Sequence, residues 1–223
     1  MFTRGLTIFW RALKANWIPA IGIWIAGSFI VYAYYQGGIV KDAANGVMVL
    51  RERFGLIYPI CSMTLFGALL PALTQALLSP SERAAVLRRL PYVIPFWAYK
   101  GIEVEYLYKL QGILWGDEPT LLGVIGKVAV DQFVYNPLLG AITLILYLRW
   151  VAIRIGELPA GTPRLPKHWY KLLVVPLLVA TWALWIPAVT LVYLLPTPLQ
   201  LPMSNLILWL WAMMLVFMSK QEA

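Results

Sequence analysis

The chain has 223 residues, 61% hydrophobic and only 13% charged, where water-soluble domains carry about 25% charged residues. A water-soluble fold of this size would expose extended apolar patches, which argues against a soluble enzyme. The net charge is +8, but the basic residues stand in short clusters between apolar runs, a pattern that fits anchoring at a membrane surface rather than nucleic-acid binding.

Residues 1–15 contain no acid and carry Arg4, Arg11 and Lys14, while Phe2, Leu6, Phe9, Leu13 and Trp17 recur at helical spacing. The pattern predicts an amphipathic helix lying at the interface. A mitochondrial presequence has a similar composition, but here an apolar run follows at once. Charge-free stretches from Ala15 to Val40 and between Arg53 and Glu82 each exceed the roughly 20 residues needed to cross a bilayer. They predict spans near 16–36 and 55–79, joined by a short polar connector, KDAANGVMVLRER.

The third segment, 91–113, holds Pro91, Pro95, Lys100, Glu103, Glu105 and Lys109, and is expected to be a tilted or kinked span. Lys127 is expected to open the fourth, which runs to Arg149 with Asp131 and Pro137 near its start. From Leu172 to Ser219 there are 48 residues without a charge. At about 1.5 Å per residue one helix cannot use that length within a hydrocarbon layer about 30 Å thick. The stretch must fold back, and LLPTPLQLPM, with Pro196, Pro198 and Pro202, is the corner.

These elements predict an all-α, polytopic membrane bundle of about six membrane helices with both termini inside. Residues 16–54 form an additional N-terminal helix and connector, 55–219 the main bundle and 220–223 a short tail. The basic residues support this topology: twelve Lys and Arg fall on the inside segments, five on the outside segments, and Lys100 within the third span.

Several side chains are candidates for chemistry. Lys127 and Asp131, four apart, share a helix face and can pair near the membrane edge. An intramembrane acid costs at least ~2.5 kcal/mol unless partnered, so Asp131 and Gln132 read either as part of a polar path or as pins joining two helices. Glu103 and Glu105 point to different faces, each able to pair with Lys100 or Lys109. His168 is the only histidine and Cys61 the only cysteine, so ordinary zinc ligation within one chain is not expected. Cys61 is expected to pack inside its span and His168 to lie at the interface. Many of the Trp and Tyr side chains fall near predicted span ends, as in an aromatic belt. The sequence contains no nucleophile elbow, phosphate-binding loop or paired acidic metal motif, so neither catalysis nor a cofactor is expected.

The stretch KVAVDQFVYNPLLG, Lys127 to Gly140, resembles the signature of the family of the twenty-two-kilodalton peroxisomal membrane protein and its mitochondrial relative Mpv-seventeen. Lys127, Asp131, Gln132 and Pro137 stand at the signature spacing, and Trp182, Trp185, Pro187, Tyr193, Pro196 and Trp211 fall in the frame of the later motif. Tyr58, Pro59, Gly101 and Tyr108 also match. Val189, Val192 and Gln200 replace a Gln, an Asn and an Arg of that pattern, Thr74 and Gln75 replace a Gly-Asp pair, and Glu105 stands where a His is usual. The resemblance covers about 55–215. It implies a small, non-enzymatic integral membrane protein; the membrane expected from the sequence is a bacterial inner membrane or an organellar one. The path residues Lys100, Glu103, Asp131 and Gln132 would then serve a weakly selective channel for small solutes. A structural or accessory subunit docked in a larger membrane complex is the alternative; the partners expected are the lipid bilayer and either such a complex or further copies of the chain.

Overall fold

In the computed structural model, residues 20–158, 161, 165 and 167–221 are described. The interfacial helix expected over residues 1–15 lies outside them, as do the last two residues of the expected tail. The protein is all-helical, with no strand among the described residues. Helix α1 (Ala20–Gln36) is followed by α2 (Ile39–Phe54) at a bend of 91°. Next come α3 (Ile57–Leu78) and α4 (Arg83–Trp115), then α5 (Leu121–Arg154). A π-helical turn, Tyr170–Val174, leads into α6 (Val175–Tyr193), and α7 (Thr197–Gln221) follows.

The short polar connector between the first two apolar segments is part of a 16-residue helix. Gly37 and Gly38 make the corner with φ of 89° and 69°, values in the region that a residue with a Cβ avoids. Beyond the corner, α2 is amphipathic and keeps the direction the corner imposes.

Helix α4 runs unbroken through Pro91 and Pro95 for 33 residues, about 50 Å. Lys127 does not open the fourth segment: α5 begins at Leu121, where the Thr120 side chain accepts a hydrogen bond from the Gly123 N–H at 3.1 Å and caps the helix. The fold-back of the charge-free stretch is as expected but tighter, with Leu194 to Pro196 between the two helices. Pro198 and Pro202 lie within α7 instead of in the corner: Pro198 stands in the first turn, where no N–H is needed, and Pro202 lies inside the helix, where it leaves the Pro198 carbonyl without its intrahelical donor.

Among the described residues two helices, α3 and α5, are long and apolar enough to cross a membrane; counting each of two bent pairs as one span raises the number to four. Helix α7 is the hub, packing against α2, α3, α4 and α6. The main core joins Ala20, Ile23 and Val31 of α1 to Ala188, Val192 and Tyr193 of α6 and Leu201, Met203 and Ile207 of α7. Trp24 donates to the Leu184 carbonyl at 3.3 Å and Tyr35 to the Leu194 carbonyl at 2.7 Å. The N-terminal helix therefore shares the core of the remaining bundle. At Gly101 a Cβ would collide with the carbonyl of Pro59, so this glycine lets α3 and α4 approach backbone to backbone. Outward, α5 exposes Leu121, Leu122, Ile125, Phe133 and Leu138.

Candidate functional site

Five buried polar residues, Lys100, Gln111, Lys127, Asp131 and Gln132, lie along the seam between α4 and α5. On α4, Lys100, Glu103 and Gln111 stand at i, i+3 and i+11, which places them on one helical stripe facing a neighbour. Opposite them, α5 changes from α-helix to a ten-residue π-helix at Asp131–Gly140. This wider winding presents Asp131, Gln132 and Tyr135 to the interior.

At one end of the seam, Lys100 Nζ lies 2.5 Å from Glu103 Oε1 and 3.1 Å from Thr143 Oγ1. The Tyr135 hydroxyl donates to the same Glu103 oxygen. Both charged side chains are about nine-tenths buried, so the pair must be held by hydrogen bonds rather than by solvent. At the other end, Tyr193 of α6 donates to Asp131 Oδ2 at 2.6 Å, and Gln132 Nε2 donates to Asp131 Oδ1 at 3.0 Å. Gln111 Nε2 donates to the Lys127 carbonyl at 2.9 Å and lies 3.4 Å from the Tyr193 hydroxyl.

Lys127 and Asp131 do not form the pair expected from their spacing. Lys127, 1% exposed, reaches back to the Gly116 carbonyl at 2.6 Å. Helical Cβ atoms tilt toward the N-terminus, and Gly116 closes α4, where carbonyls lack intrahelical donors. The long side chain therefore satisfies a helix end, while Asp131 turns to α6.

Pro137 has a specific consequence in this setting. In π winding the N–H of residue i+5 meets the carbonyl of residue i, so a proline at 137 supplies no donor to Gln132. The Gln132 carbonyl accepts instead from Trp182 Nε1 of α6 at 3.1 Å. The Pro137 carbonyl itself accepts from the Tyr170 hydroxyl at 3.2 Å. Trp182, Tyr193, Asp131, Gln132 and Pro137, far apart in sequence, thus meet at the α5–α6 contact. Trp185 packs against the main core, Pro187 lies within α6, and Pro196 separates α6 from α7. Trp211 is on α7, with its side chain outside the described residues. Val189 and Val192, in place of polar residues, are buried in the core. Gln200 is buried too, donating to the Leu195 carbonyl at 3.1 Å.

Glu105 leaves the opposite face of α4 from Glu103. It meets Arg51 Nη2 of α2 at 2.5 Å, with Lys109 Nζ at 3.4 Å. Arg51 also donates to the Pro198 carbonyl. That carbonyl would ordinarily accept from residue 202, which is proline and has no N–H. In the sequence Arg51 is one of the cations of the polar connector, and nothing in its spacing from Glu105, 54 residues away, announces the partnership. Gln111 and Tyr135 were missed as well; their signal was the stripe through Lys100 and Glu103 and the four-residue step from Asp131.

Cys61 is exposed on α3, which corrects the expectation of interior packing: its position faces away from α4. His168 is exposed, at the left-handed φ of 59°, just before the turn into α6. Among the described residues, no three or more His, Cys, Asp or Glu side chains gather as a metal-binding group. Several seam atoms are buried without a hydrogen-bond partner among the described residues: Glu103 Oε2, Gln111 Oε1 and Gln132 Oε1, with both amide atoms of Asn205 on α7. No protein-family model, curated protein or solved structure matches the chain.

Proposed function

We propose that the protein is a non-enzymatic integral membrane protein with six crossings and both termini on the positive side. In this reading it is a divergent member of the family of the twenty-two-kilodalton peroxisomal membrane protein, and its α4–α5 seam conducts small polar solutes with weak selectivity. The observation that carries the reading is the seam itself. Buried polar groups almost always find partners, yet among the described residues Glu103, Gln111 and Gln132 each keep an open acceptor beside partnered neighbours. From Lys100 to Gln111 the seam covers about 16 Å along α4, a large part of the hydrocarbon thickness. The cation lost at Gln200 has a near substitute in Arg51, bound two residues earlier at Pro198. Arg89, in the second turn of α4, pairs with Glu157 just after α5, which supports placing the start of α4 and the end of α5 on one side.

The test is solute flux into vesicles reconstituted with the full chain. Flux that changes with Asp131→Asn or Glu103→Gln is expected; absent or unchanged flux removes the pore. Labelling cysteines placed at Arg4 and beyond Ser219 tests the topology, and opposite sides would exclude an even number of crossings.

A second reading has its own support. Lys100, Glu103 and Asp131 find counter-groups inside the chain, and α5 offers a broad apolar outer face. These features suit a structural subunit docked in a larger membrane assembly. Co-purification with one defined complex in mild detergent is its expected result, and recovery as a solitary monomer counts against it.

A further inference from the structure

At the last turns of α5 a cavity of about 330 Å³ is lined by Leu146, Trp150, Ile153, Arg154 and Leu165, within the range of pockets that hold small ligands. Four of the five side chains are apolar. Trp150 is held in place by Tyr92 at 5.8 Å and Tyr147 at 5.4 Å between ring centroids, and the Tyr147 hydroxyl is bonded to the Tyr92 carbonyl at 2.7 Å. One wall is therefore rigid before any ligand arrives.

Charge distinguishes this cavity from an ordinary surface cleft. The acids of the two connections at this end, among the described residues, are Glu82 and Glu157. Glu157 accepts two hydrogen bonds from Arg89 at 2.7 Å each, and Glu82 accepts one from Gln75 at 2.7 Å. Both are thereby engaged away from Arg154, which stands exposed at the cavity edge, three residues before Glu157. Lys167 on the same connection, and Arg149 and Lys171 in the helical turns that flank it, add positive charge.

We propose that this cavity is a binding site for an anionic phospholipid, with acyl-chain carbons against Leu146, Trp150 and Ile153 and the headgroup phosphate on Arg154. The proposal rests on the membrane reading above. An apolar slot with a cation at its rim matches the two halves of such a molecule, and basic pockets on the positive side of a membrane are where anionic headgroups are held. A neutral phospholipid fills the same slot without the gain at Arg154.

Native mass spectrometry of the full chain in detergent, titrated with phosphatidylglycerol or phosphatidylcholine, tests this. Wild type should retain about one phosphatidylglycerol in preference to phosphatidylcholine, and Arg154→Glu should reduce that preference at least about fivefold, the factor expected for one basic residue near the headgroups. Arg154→Lys should keep most of it, and Trp150→Ala should weaken retention of both lipids. Inorganic phosphate alone should not displace the bound lipid. Equal retention of the two lipids by wild type, an Arg154→Glu variant indistinguishable from it, or displacement by phosphate would overturn the site. Release of the chain from membranes by alkaline extraction would instead overturn the membrane reading on which it rests.

Discussion

Replacing Arg51 by Gln tests how α2 is fastened to the bundle. The Arg51 and Glu105 side chains are 11% and 7% exposed, 2.5 Å apart. Removing the guanidinium leaves a buried carboxylate whose remaining cation is Lys109, at 3.4 Å and half exposed, and it strips the donor from the Pro198 carbonyl. Breaking a buried pair by deleting one partner costs about 3–5 kcal/mol; Lys109 offsets part of this, so about 3 kcal/mol is expected. For a chain of this length that corresponds to a fall in Tm of about 6–12 °C, readable by tryptophan fluorescence during heating in detergent. Glu105→Gln alone should cost a comparable amount. The double variant, having no unpaired charge, should cost much less than the sum, with a coupling of about 2 kcal/mol. Additive losses, or an Arg51→Gln variant as stable as wild type, would show that the guanidinium faces solvent and that the anchoring of α2 has another cause.

Tyr193→Phe removes the hydroxyl that donates to Asp131 at 2.6 Å and should lower stability in detergent by about 1.5–3 kcal/mol, the worth of a hydrogen bond to a charged group; an unchanged melting curve would mean that Asp131 is otherwise satisfied. Gly101→Ala must push α3 from α4 because the obstacle is the Pro59 carbonyl, at a cost of about 1–3 kcal/mol. Gly46→Ala meets nothing within 4 Å and should hold or raise stability, so equal effects at the two glycines would refute the packing argument. Cys61, exposed on an apolar helix, should react with a membrane-permeant maleimide in vesicles and resist a charged, impermeant thiol reagent until detergent is added. Prompt labelling by the charged reagent would place α3 in water.

Local sequence carries the helices and the corners. Apolar runs bounded by charges locate α1, α3 and α5, and 48 charge-free residues with Pro196 near their middle force the α6–α7 hairpin, because a helix of that length exceeds any bilayer. Thr120 before Leu121 is a capping signal that marks the start of α5 earlier than the charge at Lys127 does. The signature residues Asp131, Gln132 and Pro137 were legible as a group, although their partners were not. Whether Asp131 turns to Lys127 or to Tyr193 depends on a change to π winding and on which helix lies alongside, and charge spacing within one segment contains neither fact. The same holds for Arg51: from α2 it reaches a carboxylate on α4 and a carbonyl that Pro202 leaves without a donor on α7. Hydrophobic period and charge-free length are properties of one segment and can be read along the chain. The pairing of buried charges depends on three-dimensional neighbours, and here only the packing of α2, α4, α5, α6 and α7 decided it.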